Sequence, residues 1–228
     1  MSQYDWHEQA KQIWGGKASE WNENSEQMWE KGSRKTIIPF LKKHMPENSY
    51  IADIGCGDGY GSYKLLNENY RVVGMDISRE MIKIASKRSE GDQLTFLQAD
   101  AAKLPFEENT FDGIMSINCI EWTKKPRETL LEFQRVLRPN AYMCLGLLGP
   151  TAHPRQHSFN RLYGENVICN TMMPWEFGRL AVENNWEIFD SHGVYKQGVK
   201  EALVQGLTIE LKQSLTFMWV FMLKNNKN

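Results

Sequence analysis

A parallel-sheet α/β fold is predicted by three observations. From Ser49 onward, strand-like runs alternate with helical patterns. The runs are almost continuously apolar, the mark of strands buried on both faces. The first run leads straight into a glycine-rich turn, and acids stand at the ends of the later runs. An open parallel sheet binds its ligands in just that place, outside the carboxyl ends of its strands.

The elements follow in order. Residues 50–54, 71–76, 94–97, 111–117 and 142–148 read as five strands. A helical pattern through Met81, Ile82 and Ala85 follows the second, and a helix over 127–137 precedes the fifth. Beyond Gly149-Pro150 the rhythm fades, with a helix predicted near 174–184 and strands at 186–191 and 215–223. Residues 1–45 are different in kind. They hold Trp6, Trp14, Trp21 and Trp29, half of the eight tryptophans. Gly15-Gly16 should interrupt any helix there, giving one short helix before it and another after it, and a third helix is predicted over 33–44. Trp14 and Trp21, seven apart, would share a face of a continuous helix. Residues 1–30 are therefore expected either to pack on the core or to form a lid over a ligand. The whole reads as one domain: an N-terminal helical cap (1–45), a ligand-binding core (46–148) and a substrate-side insertion with the final strands (149–228).

Composition narrows the function. The 228 residues are 41% hydrophobic and 24% charged, enough for a sizeable core and against a disordered chain. With 27 Lys+Arg against 28 Asp+Glu the formal charge is −1, so a nucleic-acid partner is not expected. No apolar run approaches the ~20 residues that cross a bilayer, so membrane insertion is not expected. No basic stretch followed by an apolar one opens the chain, so the protein is expected to be cytoplasmic. Cys56, Cys119, Cys144 and Cys169 form no C-x-x-C pair and read as reduced, buried thiols. No metal site is expected.

The chemistry concentrates in Asp53-Ile54-Gly55-Cys56-Gly57-Asp58-Gly59. Its glycines let the backbone turn sharply and let a ligand approach closely. The spacing is G-x-G-x-G, with Tyr60 where a G-x-G-x-x-G dinucleotide fingerprint needs glycine. Asp53 and Asp58 would repel a pyrophosphate and attract a cationic head group. S-adenosylmethionine, which carries an ammonium and a sulfonium but no phosphate, is such a ligand. Asp76, at the end of the second strand, can accept both hydroxyls of a ribose. Asp100-Ala101 follows the third strand, where a side chain or backbone group can read an adenine edge. Asn118 follows the fourth. The cofactor-binding set is thus Asp53, Gly55, Cys56, Gly57, Asp76, Ile77, Asp100, Ala101 and Asn118.

Together these residues resemble the class I S-adenosylmethionine-dependent methyltransferases, in particular the small-molecule branch that includes the ubiquinone/menaquinone-type enzymes. Asp53–Gly59 resembles the family's first motif, and Val73-Gly74-Met75-Asp76-Ile77-Ser78 its ribose-binding strand end. Asp100-Ala101-Ala102-Lys103-Leu104-Pro105-Phe106 is similar to the branch's D-A-x-x-L-P-F stretch, and Arg135-Val136-Leu137-Arg138-Pro139 to the approach to its fifth strand. The resemblance covers residues 36 to 148. It implies a Rossmann-like three-layer sandwich whose seven-stranded, mostly parallel sheet has an antiparallel last strand. It also implies S-adenosyl-L-methionine as cofactor and a small-molecule methyl acceptor. There are departures. Asn140-Ala141 replaces the usual Gly-Gly, and asparagine is the next best residue for a left-handed turn. Glu121-Trp122 stands where relatives often carry a histidine.

Methyl transfer from a sulfonium needs orientation and exclusion of water, worth ~7–11 kcal/mol, more than it needs a fixed triad. A base is required only if the acceptor must lose a proton. His153, His157, Tyr163, Glu165 and Glu121 are the candidates, and none is assigned a catalytic role. Three other classes compete: an NAD-dependent oxidoreductase, disfavoured by the glycine spacing and Asp53; a non-enzymatic S-adenosylmethionine-binding or regulatory module; and an RNA methyltransferase, disfavoured by charge and by the absence of an N/D-P-P-Y segment after the fourth strand.

Overall fold

The computed structural model describes residues 4–227. Seven strands form one sheet: β1 Tyr50–Ile54, β2 Arg71–Asp76, β3 Leu94–Gln98, β4 Phe111–Ile117, β5 Leu137–Leu148, β6 Trp186–Tyr195 and β7 Thr216–Asn225. Their order is β3-β2-β1-β4-β5-β7-β6. The first five pair in parallel, and β7 runs antiparallel between β5 and β6. The mostly parallel sheet with an antiparallel last strand is therefore present. The strand order reverses between β1 and β4, so the crevice above those two strands is the topological switch point.

Alternate residues of the strands feed two cores. Ala52 and Ile54 of β1 pack toward Leu130 and Phe133 of α6 (Pro126–Val136) and Phe177 of α7 (Pro174–Glu183). Ile51 points the other way, toward Ile37 and Leu41 of α3 (Ile37–Lys42) and Leu65 of α4 (Tyr60–Leu66). The period-2 alternation of a strand thus builds three layers, helices on both faces of the sheet. Helix α5 (Arg79–Ala85) follows β2 and is capped by Ser78, whose side chain accepts from Met81 N.

The motifs after β3 and α6 prove to be braces. Arg135 donates to the carbonyls of Leu104 and Phe106 and pairs with Glu132, which in turn accepts from Leu104 N at 2.6 Å. Asp112 accepts from Tyr50 N at 2.9 Å and pairs with Arg138. Asn140 adopts φ +62°, so the left-handed turn expected there forms. Strand β5 begins five residues earlier than the apolar pattern indicated. Leu137 pairs with Phe111, after which the register shifts and Tyr142 pairs with Gly113. The polar Arg138-Pro139-Asn140 segment hid that start.

The N-terminal segment differs from expectation in detail. Helix α1 (Trp6–Gly16) runs through both glycines, and the break falls at Lys17, whose N–H closes the helix onto Trp14 O and Gly15 O. Helix α2 (Ala18–Glu30) resumes at once. The third helix is shorter than the predicted 33–44. Gly32 N and Arg34 N bond back to Gln27 O and Met28 O, which turns the chain before α3 and leaves Arg34 buried. Short helices α8 (Glu201–Val204) and α9 (Ile209–Ser214) were not anticipated.

Helix α2 is part of the core. Trp29 is 4% exposed and lies over Gly61, where a Cβ would come within 2.4 Å of its ring. Ser25 Oγ donates to the buried carboxylate of Asp58 at 2.7 Å. Replacing Trp29 by alanine should therefore destabilise the fold by about 3–5 kcal/mol. In urea the midpoint should fall with the slope unchanged. A loss below ~1 kcal/mol would mean that α2 is not built into the core.

Candidate functional site

The carboxyl ends of β1 to β4 converge on one cleft. Gly55 and Gly57 reach it from β1, Asp76 and Ile77 from β2, Asp100 and Ala101 from β3, and Asn118 and Cys119 from β4. Seven of the predicted binding residues are thus brought together: Gly55, Gly57, Asp76, Ile77, Asp100, Ala101 and Asn118. Asp53 and Cys56 are not among its lining residues. The Asp53 carboxylate sits beneath the loop, 3% exposed, and accepts from Ser62 Oγ at 2.6 Å. Burial pushes its pKa up to about 7. The Cys56 thiol is likewise buried, its pKa raised by desolvation, with Sγ turned toward Gly57 O. Asp58 also faces away, held by Ser25 and Arg88. The acids of the glycine loop therefore serve the fold, and Asp76 is the acid that meets the cleft from this side.

The loop itself is shaped by left-handed backbone. Gly55 and Gly57 have φ +78° and +57°, a region costly for a residue with a Cβ. A Cβ on Gly57 would also stand 3.0 Å from Trp21 Nε1. The Gly57 N–H donates to Asp76 Oδ2 at 3.0 Å, and Ser78 N donates to Asp76 Oδ1 at 2.8 Å. Burial nevertheless raises the Asp76 pKa to about 6, with the backbone N–H groups opposing it. Asp100 accepts from Ala102 N at 2.9 Å and lies 2.8 Å from His7 Nδ1.

The N-terminal helices close the cleft. Trp6, His7, Ala10 and Trp14 of α1 line it, with Trp21 of α2 and Arg34. The two helices are fastened differently. Helix α1 is held by the Trp6 indole N–H donating to Trp122 O at 2.8 Å, by the His7–Asp100 pair and by small buried residues such as Ala10. Helix α2 is anchored through Trp29, Ser25 and Arg34. Of the segment 1–30 expected either to pack on the core or to form a lid, α2 is built into the core through these contacts, and residues 1–3 lie outside the described residues.

Two features were missed in the sequence. Arg34 is 8% exposed, its guanidinium 4.7 Å from the Trp21 ring and 5.5 Å from the Trp29 ring. It has no ion pair within 4 Å among the described residues, and burial lowers its pKa to about 10 against the pull of Asp58, Asp53 and Glu121. The buried indole N–H groups of Trp21 and Trp122 have no acceptor. A lone arginine in a polar stretch gives no sequence signal; only the turn at Gly32 brings it inward.

A second cavity adjoins the first and shares Trp14, Trp21, Arg34, Asn118 and Trp122 with it. It is the roomier, about 270 Å³ against about 90 Å³. His153 and His157 line it, as expected of the segment after β5. Tyr163 is 74% exposed, and Glu165 lines a third cavity beside Asn160. Glu121 lines none of these three cavities. Fully buried and pushed up in pKa by desolvation, it accepts from Leu148 N at 3.1 Å and from the Asn118 side-chain amide at 3.2 Å, tying the end of β4 to β5. Among the described residues no cluster of His, Cys, Asp or Glu could hold a metal ion, and no helix is long and apolar enough to cross a membrane.

Comparison with known proteins bears directly on this cleft. The family model described as a methyltransferase domain matches residues 52–145, the stretch from β1 to β5 that supplies the four strand ends. Residues 52–145 are a class I S-adenosylmethionine-dependent methyltransferase domain. The chain is 29% identical over 161 residues to a malonyl-[acyl-carrier protein] O-methyltransferase of Paenibacillus sp. (strain JDR-2), covering 67% of this chain and 57% of that one. It is 41% identical over 91 residues to the 18S rRNA (guanine-N(7))-methyltransferase bud23 of Schizosaccharomyces pombe, covering 39% of this chain and 33% of the relative. The chain thus spans less than two thirds of the length of these relatives. Its fold matches a chain of a Haloferax volcanii complex that contains the Trm112 methyltransferase activator, with a TM-score of 0.73, 17% identity and coverage of 96% and 98%. S-adenosylmethionine is the cofactor of this domain family.

The residues present fit that cofactor. The Gly55–Gly57 loop approaches its neighbours too closely for a Cβ, which would stand 2.7 Å from the Cys119 side chain and 3.0 Å from Trp21 Nε1, the Asp76 carboxylate meets the cleft at the end of β2, and the Trp21 N–H is a buried donor without an acceptor. The Asp76 titration makes the fit measurable. Replacing Asp76 by asparagine should weaken S-adenosylhomocysteine binding by ~1.5–3 kcal/mol, the value of hydrogen bonds to a charged group. In the wild type the carboxylate form binds, so affinity should fall as the pH drops through about 6, by roughly tenfold between pH 7 and pH 5. Calorimetry should show that fall in the wild type and a flatter profile in Asp76→Asn. The same pH profile in both would remove Asp76 from the site.

Proposed function

We propose that the protein transfers a methyl group from S-adenosylmethionine to a small-molecule acceptor held in the second cavity. The observation that carries this reading is the convergence of four strand ends on one cleft that opens beside a separate, aromatic-walled chamber. Bound cofactor would supply an activated methyl group on a sulfonium. Asp76 would accept the ribose hydroxyls, and Asp100 with the Ala101 backbone would read the adenine edge. Arg34, which has no ion pair among the described residues, and the Trp21 N–H, which is buried without an acceptor, would hold the carboxylate of the amino-acid end. Trp14, Trp21 and Trp122 stand at the wall shared by the cavities, where they would exclude water and shield a sulfonium through cation–π contact. No side chain is assigned as a general base.

A small acceptor is supported by charge and by enclosure. The formal charge of −1 gives no general attraction for a polyanion. The match to the rRNA methyltransferase relative covers 91 residues, too few to reach from α2 to the segment beyond β5. The segments that wall the second cavity on both sides thus cannot both belong to it.

The cofactor reading is tested by a ligand melt. S-adenosylmethionine or S-adenosylhomocysteine at a hundred times its Kd should stabilise the fold by about 2.7 kcal/mol, and NAD should leave it unchanged. The reverse pattern would favour the oxidoreductase reading. Turnover, followed as S-adenosylhomocysteine release with small acceptors, should appear without RNA. Release that requires RNA would overturn the small-molecule acceptor.

The cover reading concerns α1 alone. His7 occupies Asp100, the group that would read adenine, so cofactor entry would displace His7 and with it the tip of α1. Hydrogen exchange across residues 6–16 should be fast without ligand and slow with S-adenosylhomocysteine, whereas residues 20–30 should be slow in both states. Slow, ligand-indifferent exchange in α1 would make it a fixed wall.

A further inference from the structure

We propose that the second cavity selects a flat aromatic acceptor bearing a carboxylate, with Lys17 as its anchor; this rests on the reading of that cavity as the acceptor site. The walls are aromatic. Trp14 meets Trp122 edge-on at 5.2 Å and Trp21 edge-on at 5.8 Å, and Phe217 completes the enclosure. Such walls favour a planar ring, which they contact by stacked or edge-to-face approach.

The polar groups in the cavity are mostly donors or cations. Lys17 Nζ lies 2.8 Å from His157 Nε2 and 5.6 Å from the centre of the Trp14 ring. Burial and the neighbouring Lys17 and His153 hold the His157 pKa down, so the imidazole is neutral and accepts one ammonium proton. Two ammonium protons remain, and Lys17 has no ion pair within 4 Å among the described residues. Arg34 and the unpartnered Trp122 N–H add donors on the side toward the cofactor cleft. Against these stands Glu20, an exposed carboxylate at the margin. A ligand that brings acceptor oxygens and a negative charge completes this set, and a neutral or cationic ligand does not. The placement of Lys17 is itself a product of the fold. It is the one residue between α1 and α2, and the break there turns its side chain toward His157 across the chain.

The test uses the full chain with S-adenosylhomocysteine bound. The probes are salicylate, indole-3-acetate and 2-naphthoate, each against its carboxamide, with hexanoate as an aliphatic acid. Binding is read by tryptophan fluorescence and calorimetry. At least one aromatic acid should bind tenfold or more tighter than its carboxamide and than hexanoate. In Lys17→Met that preference should collapse to about twofold, and Lys17→Arg should restore it in part. S-adenosylhomocysteine binding should be the same in all three proteins, because Lys17 does not line the cofactor cleft. Equal binding of acids and carboxamides, equal binding of hexanoate, or a preference that survives Lys17→Met overturns the proposal. Failure of S-adenosylhomocysteine to bind the wild type overturns instead the functional reading beneath it.

Discussion

The structure turns on one short hydrogen-bonded joint, the meeting of the β1–α4 loop with the end of β2. Gly55 N and Cys56 N both donate to Met75 O at 2.8 and 2.9 Å, and Gly57 N donates to Asp76 Oδ2 at 3.0 Å. Left-handed backbone at 55 and 57, on either side of Cys56, turns three successive N–H groups toward one neighbouring strand end, which is why glycine stands at both positions. The joint sets the depth of the cleft and fixes the Asp76 carboxylate within it. It also seals Asp53 and Asp58 below the loop, where each needs a hydroxyl partner, Ser62 and Ser25. Ser25 belongs to α2. The same loop that shapes the cofactor cleft therefore anchors the helix that supplies Trp21 to its wall.

Much of this was legible in the sequence because parallel strands are short, apolar and punctuated. β1, β2 and β4 have the bounds that their apolar runs indicate. The four strand ends follow from those runs alone, and seven of the nine residues expected to bind cofactor line the one cleft that the strand ends form. Asp53 and Cys56 do not line it, because a sequence shows that a residue belongs to a loop but not which way its side chain turns. Asp53 faces Ser62 across the first turn of α4, and no spacing rule distinguishes that from a carboxylate facing the ligand. β5 began earlier than indicated because Arg138-Pro139-Asn140 breaks the apolar pattern while Leu137 still pairs with Phe111. Arg34 was invisible for a different reason. Its burial depends on the turn closed by Gly32 and on two tryptophan rings brought from either side.

The resemblance in sequence combined two kinds of residue that the structure separates. The glycine loop and Asp76 touch the cleft. Arg135, Glu132, Asp112 and Arg138 do not; they lash the Leu104–Phe106 segment and the start of β5 to the sheet. Glu121 belongs with these braces. Its buried carboxyl occupies the position at which a histidine role was in question, and its contacts are to Leu148 N and Asn118. It fixes the end of β4, from which Asn118, at φ +54°, faces both cavities.

The two cavities draw on different parts of the chain, and this division explains why the first was readable in the sequence and the second was not. The cofactor cleft takes most of its lining from within residues 52–145, with only Trp6, His7, Ala10, Trp14, Trp21 and Arg34 from outside. The second cavity reverses the proportion: within that span it uses Asn118 and Trp122 alone. A sheet that binds one cofactor constrains the backbone at four strand ends, so residue types there are narrow and recur in a fixed order. A cavity walled by α1, α2 and the segment after β5 carries no such backbone requirement. Its lining comes from segments far apart in sequence, Trp14 and Lys17 near the N-terminus, His157 after β5 and Phe217 in β7, which only the tertiary fold brings together. Local patterning therefore shapes the cleft at the strand ends, and tertiary packing shapes the cavity beside it.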